Sequence, residues 1–362
     1  MICANGYSEE MTAVDPLAYS RKYTRTQYKD MQDEDVYLLF TEDKWRKLTM
    51  QKRLEALQEI ECRMAARQRR IPCKVVGKKM QPGCQGVFNG QELVINFSLL
   101  QSAPASRFGL RAECKPIIAL DTVLHEGRHA FQRAAVIGCA NRRSVSDETL
   151  QSWLMNQISY AGTTEKPSDF FIYAFQPIER DAREFAGRTI AGIYQRIMNI
   201  TGKRDGNFEQ GLARIRKEKM DEYRYASLIL KTEDIDARSV QVREEICAML
   251  ACRDEIQIPY MDTTVTLRES MVRCGIDDEG MMQAMDGQTK DIRGIVQGER
   301  EKHDFMDGLD EPGLLMQQLD ADVEMRVTED LDSIVARIRE KLDTTDIAGR
   351  IQTKPDGFRA GF

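Results

Sequence analysis

Two of the chain's three histidines stand four residues apart, in His125-Glu126-Gly127-Arg128-His129. On a helix, residues i and i+4 project from one face, so two imidazoles at this spacing can converge on one metal ion. The glutamate between them points to the side, within reach of a water on that metal. With three histidines, chance produces this arrangement on the order of once in a thousand such chains. A helical wheel that puts His125 at zero places Asp121, His129 and Gln132 within about 40° of it, with Leu120, Val123, Leu124 and Phe131 on the opposite arc. One face can therefore pack while the other presents ligands. The competing reading is a solvated polar face with no metal at all.

A catalytic zinc needs three protein ligands and an open position for water, so a third ligand must come from elsewhere in the chain. Ala135 stands where a longer motif would place a third histidine, and His303, the one histidine left, lies in a charged stretch near glycines. The segment after Pro177 offers three acids, Glu179, Asp181 and Glu184. Its apolar arc is Ile178, Ala182, Phe185, Ala186, Ile190, Ile193 and Ile197, and of the three acids only Glu179 falls within that arc. A carboxylate facing a core is costly unless a partner neutralises it, and a dication is such a partner. An ion pair, or a hydrogen-bonded glutamate in the first helical turn, is the alternative.

The motif, a gap of about fifty residues, and then Glu179-Arg-Asp-Ala182-Arg-Glu-Phe185-Ala186 together resemble the gluzincin pattern of zinc peptidases. The E-x-x-A-x-x-F-A spacing is similar to that of ImmA/IrrE-type regulatory metallopeptidases, although that family usually has Asn where this chain has Arg183. The likeness covers roughly Trp45 to Ile200. It implies a zincin-like domain holding Zn²⁺ on His125, His129 and Glu179, with Glu126 as general base in the hydrolysis of a peptide bond. Zinc chemistry alone would also allow attack on other acyl centres. Tyr173 is the first choice to stabilise the developing oxyanion, ahead of Tyr160 and Arg128. Asp121, one turn before His125, could orient that ligand.

The secondary structure around these residues is legible in part. Lys44 to Gln68 reads as one amphipathic helix on Trp45, Leu48, Leu54, Leu57 and Met64. Ile71 to Phe97 reads as a small antiparallel sheet whose last two strands flank the turn dipeptide Asn89-Gly90. The motif helix starts at Pro116 and ends at Gly138. A further helix runs from Asp147 to near Gly162, and the glutamate helix from Pro177 to about Ile200 with Gly202 just beyond. Everything past Gly206 reads as charged helix, with a linker or loop at Asp304 to Glu311.

The expected fold is therefore α+β: a mostly helical domain with a small antiparallel sheet beside the motif helix, followed by a helical C-terminal region. The expected division is an N-terminal extension (1–40), the zincin-like domain (41–205) and the C-terminal region (206–362). Nine cysteines, an odd number with no C-x-x-C pair, point away from thiolate metal sites and toward a reducing compartment. With no basic-then-apolar leader and no long apolar run, a soluble cytoplasmic protein is expected, with non-classical export as an effector left open. Residues 254–362 carry 25 acidic and 13 basic side chains, a balance of -12, which leaves +6 for residues 1–253. That asymmetry suggests two regions with different jobs; the resemblance implies a protein or peptide substrate, which the acidic region would then recognise, or the acidic region would couple the enzyme to a protein partner. The alternative function is a non-catalytic helical scaffold with a structural or vestigial metal site. A nucleic-acid binder, resting on the basic run Arg63 to Arg70, ranks last because no recognised motif accompanies it.

Overall fold

The structure is a computed structural model that describes residues 26–80, 84–101, 115–160 and 172–307, apart from the side chains of 218, 221–222, 225–229 and 302–307. The chain opens with two short helices, α1 (Asp33–Leu38) and α2 (Glu42–Trp45), followed by α3 (Met50–Arg67). The single amphipathic helix expected from Lys44 is thus broken. Thr49 takes an extended conformation and its side chain accepts from the Lys52 N–H, capping α3. Trp45 and Leu57 still reach the same core.

Three strands follow: β1 (Lys74–Lys78), β2 (Gly86–Phe88) and β3 (Glu92–Asn96), then α4 (Phe97–Leu100). The β2–β3 hairpin forms as expected, with Gly90 at φ 95° and Asn89 Oδ1 accepting from the Gln91 and Glu92 amides. The sheet as a whole is mixed, however, because β1 pairs parallel with β3 in the order β1-β3-β2. Gln58 of α3 explains where β1 sits: its side chain accepts from the Val75 amide and donates to the Cys73 carbonyl, tying this end of β1 to the helix. β3 becomes the central strand, and its continuous run Leu93-Val94-Ile95 is buried on both faces.

The long helices come next: α5 (Lys115–Val136), α6 (Asp147–Ile158), a helical turn at residues 172–175, α7 (Pro177–Thr201), α8 (Gly206–Ile229) and α9 (Thr232–Ala251). Gly138 at φ 76° and Gly202 at φ 63° end α5 and α7 in the left-handed conformation that glycine adopts without strain. Ser146 caps α6 through the Thr149 amide. The expected all-helical C-terminal region is interrupted by a hairpin, β4 (Gln257–Tyr260) and β5 (Thr263–Thr266), before α10 (Leu267–Cys274) and α11 (Asp278–Asp307). Its turn puts Met261 at φ 52°. Without Gly or Asn in that position, no local turn signal marks the hairpin. The expected loop at Asp304 to Glu311 begins inside α11 and then leaves the described residues.

One buried apolar cluster runs from Tyr28 to Met285, including Phe40 before residue 41 and Phe208, Ile246, Ile258 and Leu267 beyond residue 205. Polar contacts bind the same parts. Met261 N–H donates to Gly90, Tyr260 Oη to the Ile71 carbonyl, and Ser270 Oγ to the Val136 carbonyl. Among the described residues no helix is long and apolar enough to cross a membrane.

Candidate metal centre

The centre is built on the crossing of α5 and α7. Arg128 of the motif is not a surface residue: it makes a two-point ion pair with Asp181 of α7, at 2.7 and 2.9 Å. Its guanidinium also lies over Phe131, Trp153 and Phe185, with the ring centroids 4.7, 5.2 and 4.8 Å away. That geometry commits Arg128 to clamping the two helices, away from the role of oxyanion donor. Gln132 adds a second clamp, donating to Asp181 Oδ2 at 2.7 Å and to the Ile178 carbonyl at 2.9 Å. On the far side, Asn156 of α6 accepts from the Ile178 amide, satisfying a donor of the first turn of α7. Glu179 therefore starts from a fixed point.

Within this frame the expected ligands meet. His125 Nε2 and His129 Nε2 are 3.1 Å apart, and Glu179 places Oε2 3.4 Å from the first and Oε1 3.3 Å from the second. Taking one ligand atom from each residue, the three donors lie within 4.8 Å of one another, close enough to share one ion. Glu179 is 1% exposed, and its Oε2 makes no hydrogen bond. An orphaned carboxylate oxygen in the core, 3.4 Å from an imidazole nitrogen, fits a cation better than it fits any neutral partner. These three residues are a group that could hold a metal ion.

The surroundings set the donors' orientation. His129 Nδ1 is 2.8 Å from Gln132 Oε1, an acceptor that holds the proton on Nδ1 and leaves the Nε2 lone pair for a metal. Tyr160 Oη donates to Glu179 Oε1 at 2.7 Å. In the metal-free protein, burial disfavours a charged His129, yet Glu179 outweighs it and the pKa rises to about 9. Burial likewise opposes ionisation of Glu179, but His129 and His125 hold it well below the usual carboxylate range.

Glu126 is 8% exposed and accepts from the Phe88 amide at 2.8 Å, at the end of β2 nearest the motif helix. Two glycines allow this approach. A Cβ on Gly86 would lie 2.4 Å from Thr122 Cγ2, and one on Gly127 would lie 2.9 Å from Glu61 Oε2. Beneath Gly127 sits a buried ion pair in which Arg70 donates to both Glu61 oxygens, at 2.6 and 2.8 Å, and to the Gly127 carbonyl at 3.1 Å.

Tyr173 packs edge-on against Tyr160 with ring centroids 5.7 Å apart. Burial, Glu179 and Glu126 push its phenol well above the usual value of 10, so it stays a donor at neutral pH. Arg183 lies over the Tyr223 ring at 5.5 Å, and its charge opposes that rise. Asp121 does not orient His125: it pairs with Lys219 of α8 at 3.0 Å. The side chain of His303 lies outside the described residues. Sequence reasoning missed Tyr160 as a partner of Glu179 and the Glu61–Arg70 pair, while Gln132 was visible as part of the polar arc. No protein-family model, curated protein or solved structure gives a significant match to the chain.

Proposed function

We propose that this protein is a zinc-dependent hydrolase that cleaves a peptide bond. The observation that carries the proposal is the His125–His129–Glu179 group with Glu126 one residue after the first histidine, three donors and a base with no fourth ligand among the described residues. When bound, zinc supplies Lewis acidity both to a water and to the carbonyl under attack. Glu126 is held by one oxygen, Oε2, on the Phe88 amide, which leaves Oε1 to take a proton from the attacking water. The same carboxyl then gives that proton to the leaving amine. Tyr173 donates its hydroxyl hydrogen to the developing oxyanion, while Tyr160 keeps Glu179 in place. Peptide as the substrate follows from the resemblance of the motif and glutamate helix to gluzincins.

The test is turnover of a quenched fluorescent peptide pool by the zinc-loaded protein. Glu126→Gln, which removes the base and spares the ligands, is expected to lower kcat by about 10²–10⁴-fold with zinc content unchanged. Equal turnover in the variant would remove Glu126 from the mechanism.

A further inference from the structure

Most charges around the metal centre have partners: Arg128 has Asp181, Lys219 has Asp121 and Arg70 has Glu61. Arg133 is the exception. It lies one turn past His129 and two turns past Glu126 on α5, at about 80° on the wheel that puts His129 at about 40° and Glu126 at about 100°. It thus extends the face that carries the site. Its neighbours Gln132 and Ala134 are buried, at 1% and 0% exposure, and burial lowers the Arg133 pKa to about 10. The side chain nevertheless reaches solvent. A half-buried guanidinium on this face can be reached from solvent. Among the described residues no carboxylate forms an ion pair or hydrogen bond with it.

A cation drawn out of bulk water without a counter-ion is costly, and a guanidinium in that position is suited to receive a carboxylate in a two-point grip. We infer that Arg133 is a specificity-determining residue that binds a substrate carboxylate, from either an acidic side chain or the peptide's C-terminus. The inference rests on the peptidase reading, because the cleaved bond fixes the register of a peptide along α5. Register follows from helix geometry. Seven residues separate Glu126 from Arg133, about 10 Å of helix axis. An extended peptide covers that distance in about three residues. The bound carboxylate therefore sits two to three residues from the cleaved bond, on the side of β4 and α10, which pack on α5.

Binding can be read without turnover. The full-length Glu126→Gln protein, loaded with zinc, is titrated by fluorescence anisotropy with labelled neutral hexapeptide amides, with the same peptides carrying Glu for Gln at each position in turn, and with the neutral peptides ending in a free carboxylate. At least one carboxylate form is expected to bind about tenfold tighter than its neutral partner, and which form does so identifies the source of the carboxylate. Adding Arg133→Gln should bring the preference to within about twofold while leaving neutral-peptide affinity intact, and Arg133→Lys should keep part of it. In the otherwise wild-type chain, Arg133→Met should raise Tm by about 2 °C or more, since an unpaired charge is removed. Equal binding of all peptides, no binding of any, a preference that survives Arg133→Gln, or a lower Tm for Arg133→Met would overturn the inference. Failure of the peptidase reading shows separately, as absence of hydrolysis by the zinc-loaded wild type.

Discussion

At the scale of single residues, a metal ion on the His125–His129–Glu179 group would have to compete with a proton. Without metal, the attraction between a charged His129 and Glu179 holds the two helices together, and the His129 pKa of about 9 lies above the ordinary value of 6.5. A raised pKa means that this contribution to stability is complete below pH 6.5 and is lost as pH rises through 9. Metal requires the neutral imidazole, so uptake at pH 7.5 should release about one proton, and apparent affinity should rise about tenfold per pH unit until pH 9. Titration calorimetry in buffers of different ionisation enthalpy measures the proton count directly. Zero protons released at pH 7.5 would mean that Glu179 does not charge His129. The histidine spacing made His125 and His129 legible from the chain alone. Glu179 was legible because an acid on an otherwise apolar arc is anomalous. The bond from Tyr160 to Glu179 was not, since it spans 19 residues with no spacing rule to link them.

At the scale of elements, the motif helix is anchored from below as well as from α7. The Glu61–Arg70 pair is 1% and 0% exposed, and Arg70 also holds the Gly127 carbonyl inside the motif. Breaking a buried pair by removing one partner leaves an uncompensated charge, so Arg70→Ala should cost about 3–5 kcal/mol in urea unfolding. A loss below about 1 kcal/mol would show that the pair is not buried as described. Chain punctuation made α5 and α7 legible: proline near the start and a left-handed glycine after the end bracket both. The sheet was only half legible. Asn89-Gly90 announces one hairpin, whereas the parallel pairing of β1 depends on Gln58, a helix side chain that strand patterns do not reveal. The β4–β5 hairpin escaped because a methionine takes the left-handed turn position.

At the scale of the whole molecule, the region beyond residue 205 is part of the same packing as the helices that carry His125, His129 and Glu179. Ile246, Ile258, Leu267 and Met271 share one buried cluster with Leu120, Phe131 and Trp153. A fragment ending at residue 205 would expose that apolar surface and leave the Ile71 and Val136 carbonyls without Tyr260 and Ser270. It should therefore show no cooperative thermal transition by circular dichroism, and a sharp transition would establish residues 41–205 as an autonomous domain. The charge asymmetry that separates the two regions in the sequence reports surface composition, and surface charge does not decide which residues share a core. Most direct for the metal centre itself is elemental analysis by mass spectrometry of the purified protein after zinc reconstitution, alongside His129→Ala, Glu179→Ala and Glu126→Gln. One zinc per chain in the wild type and in Glu126→Gln, with none in the other two, is the expected result; no zinc in the wild type, or full zinc in Glu179→Ala, would contradict it.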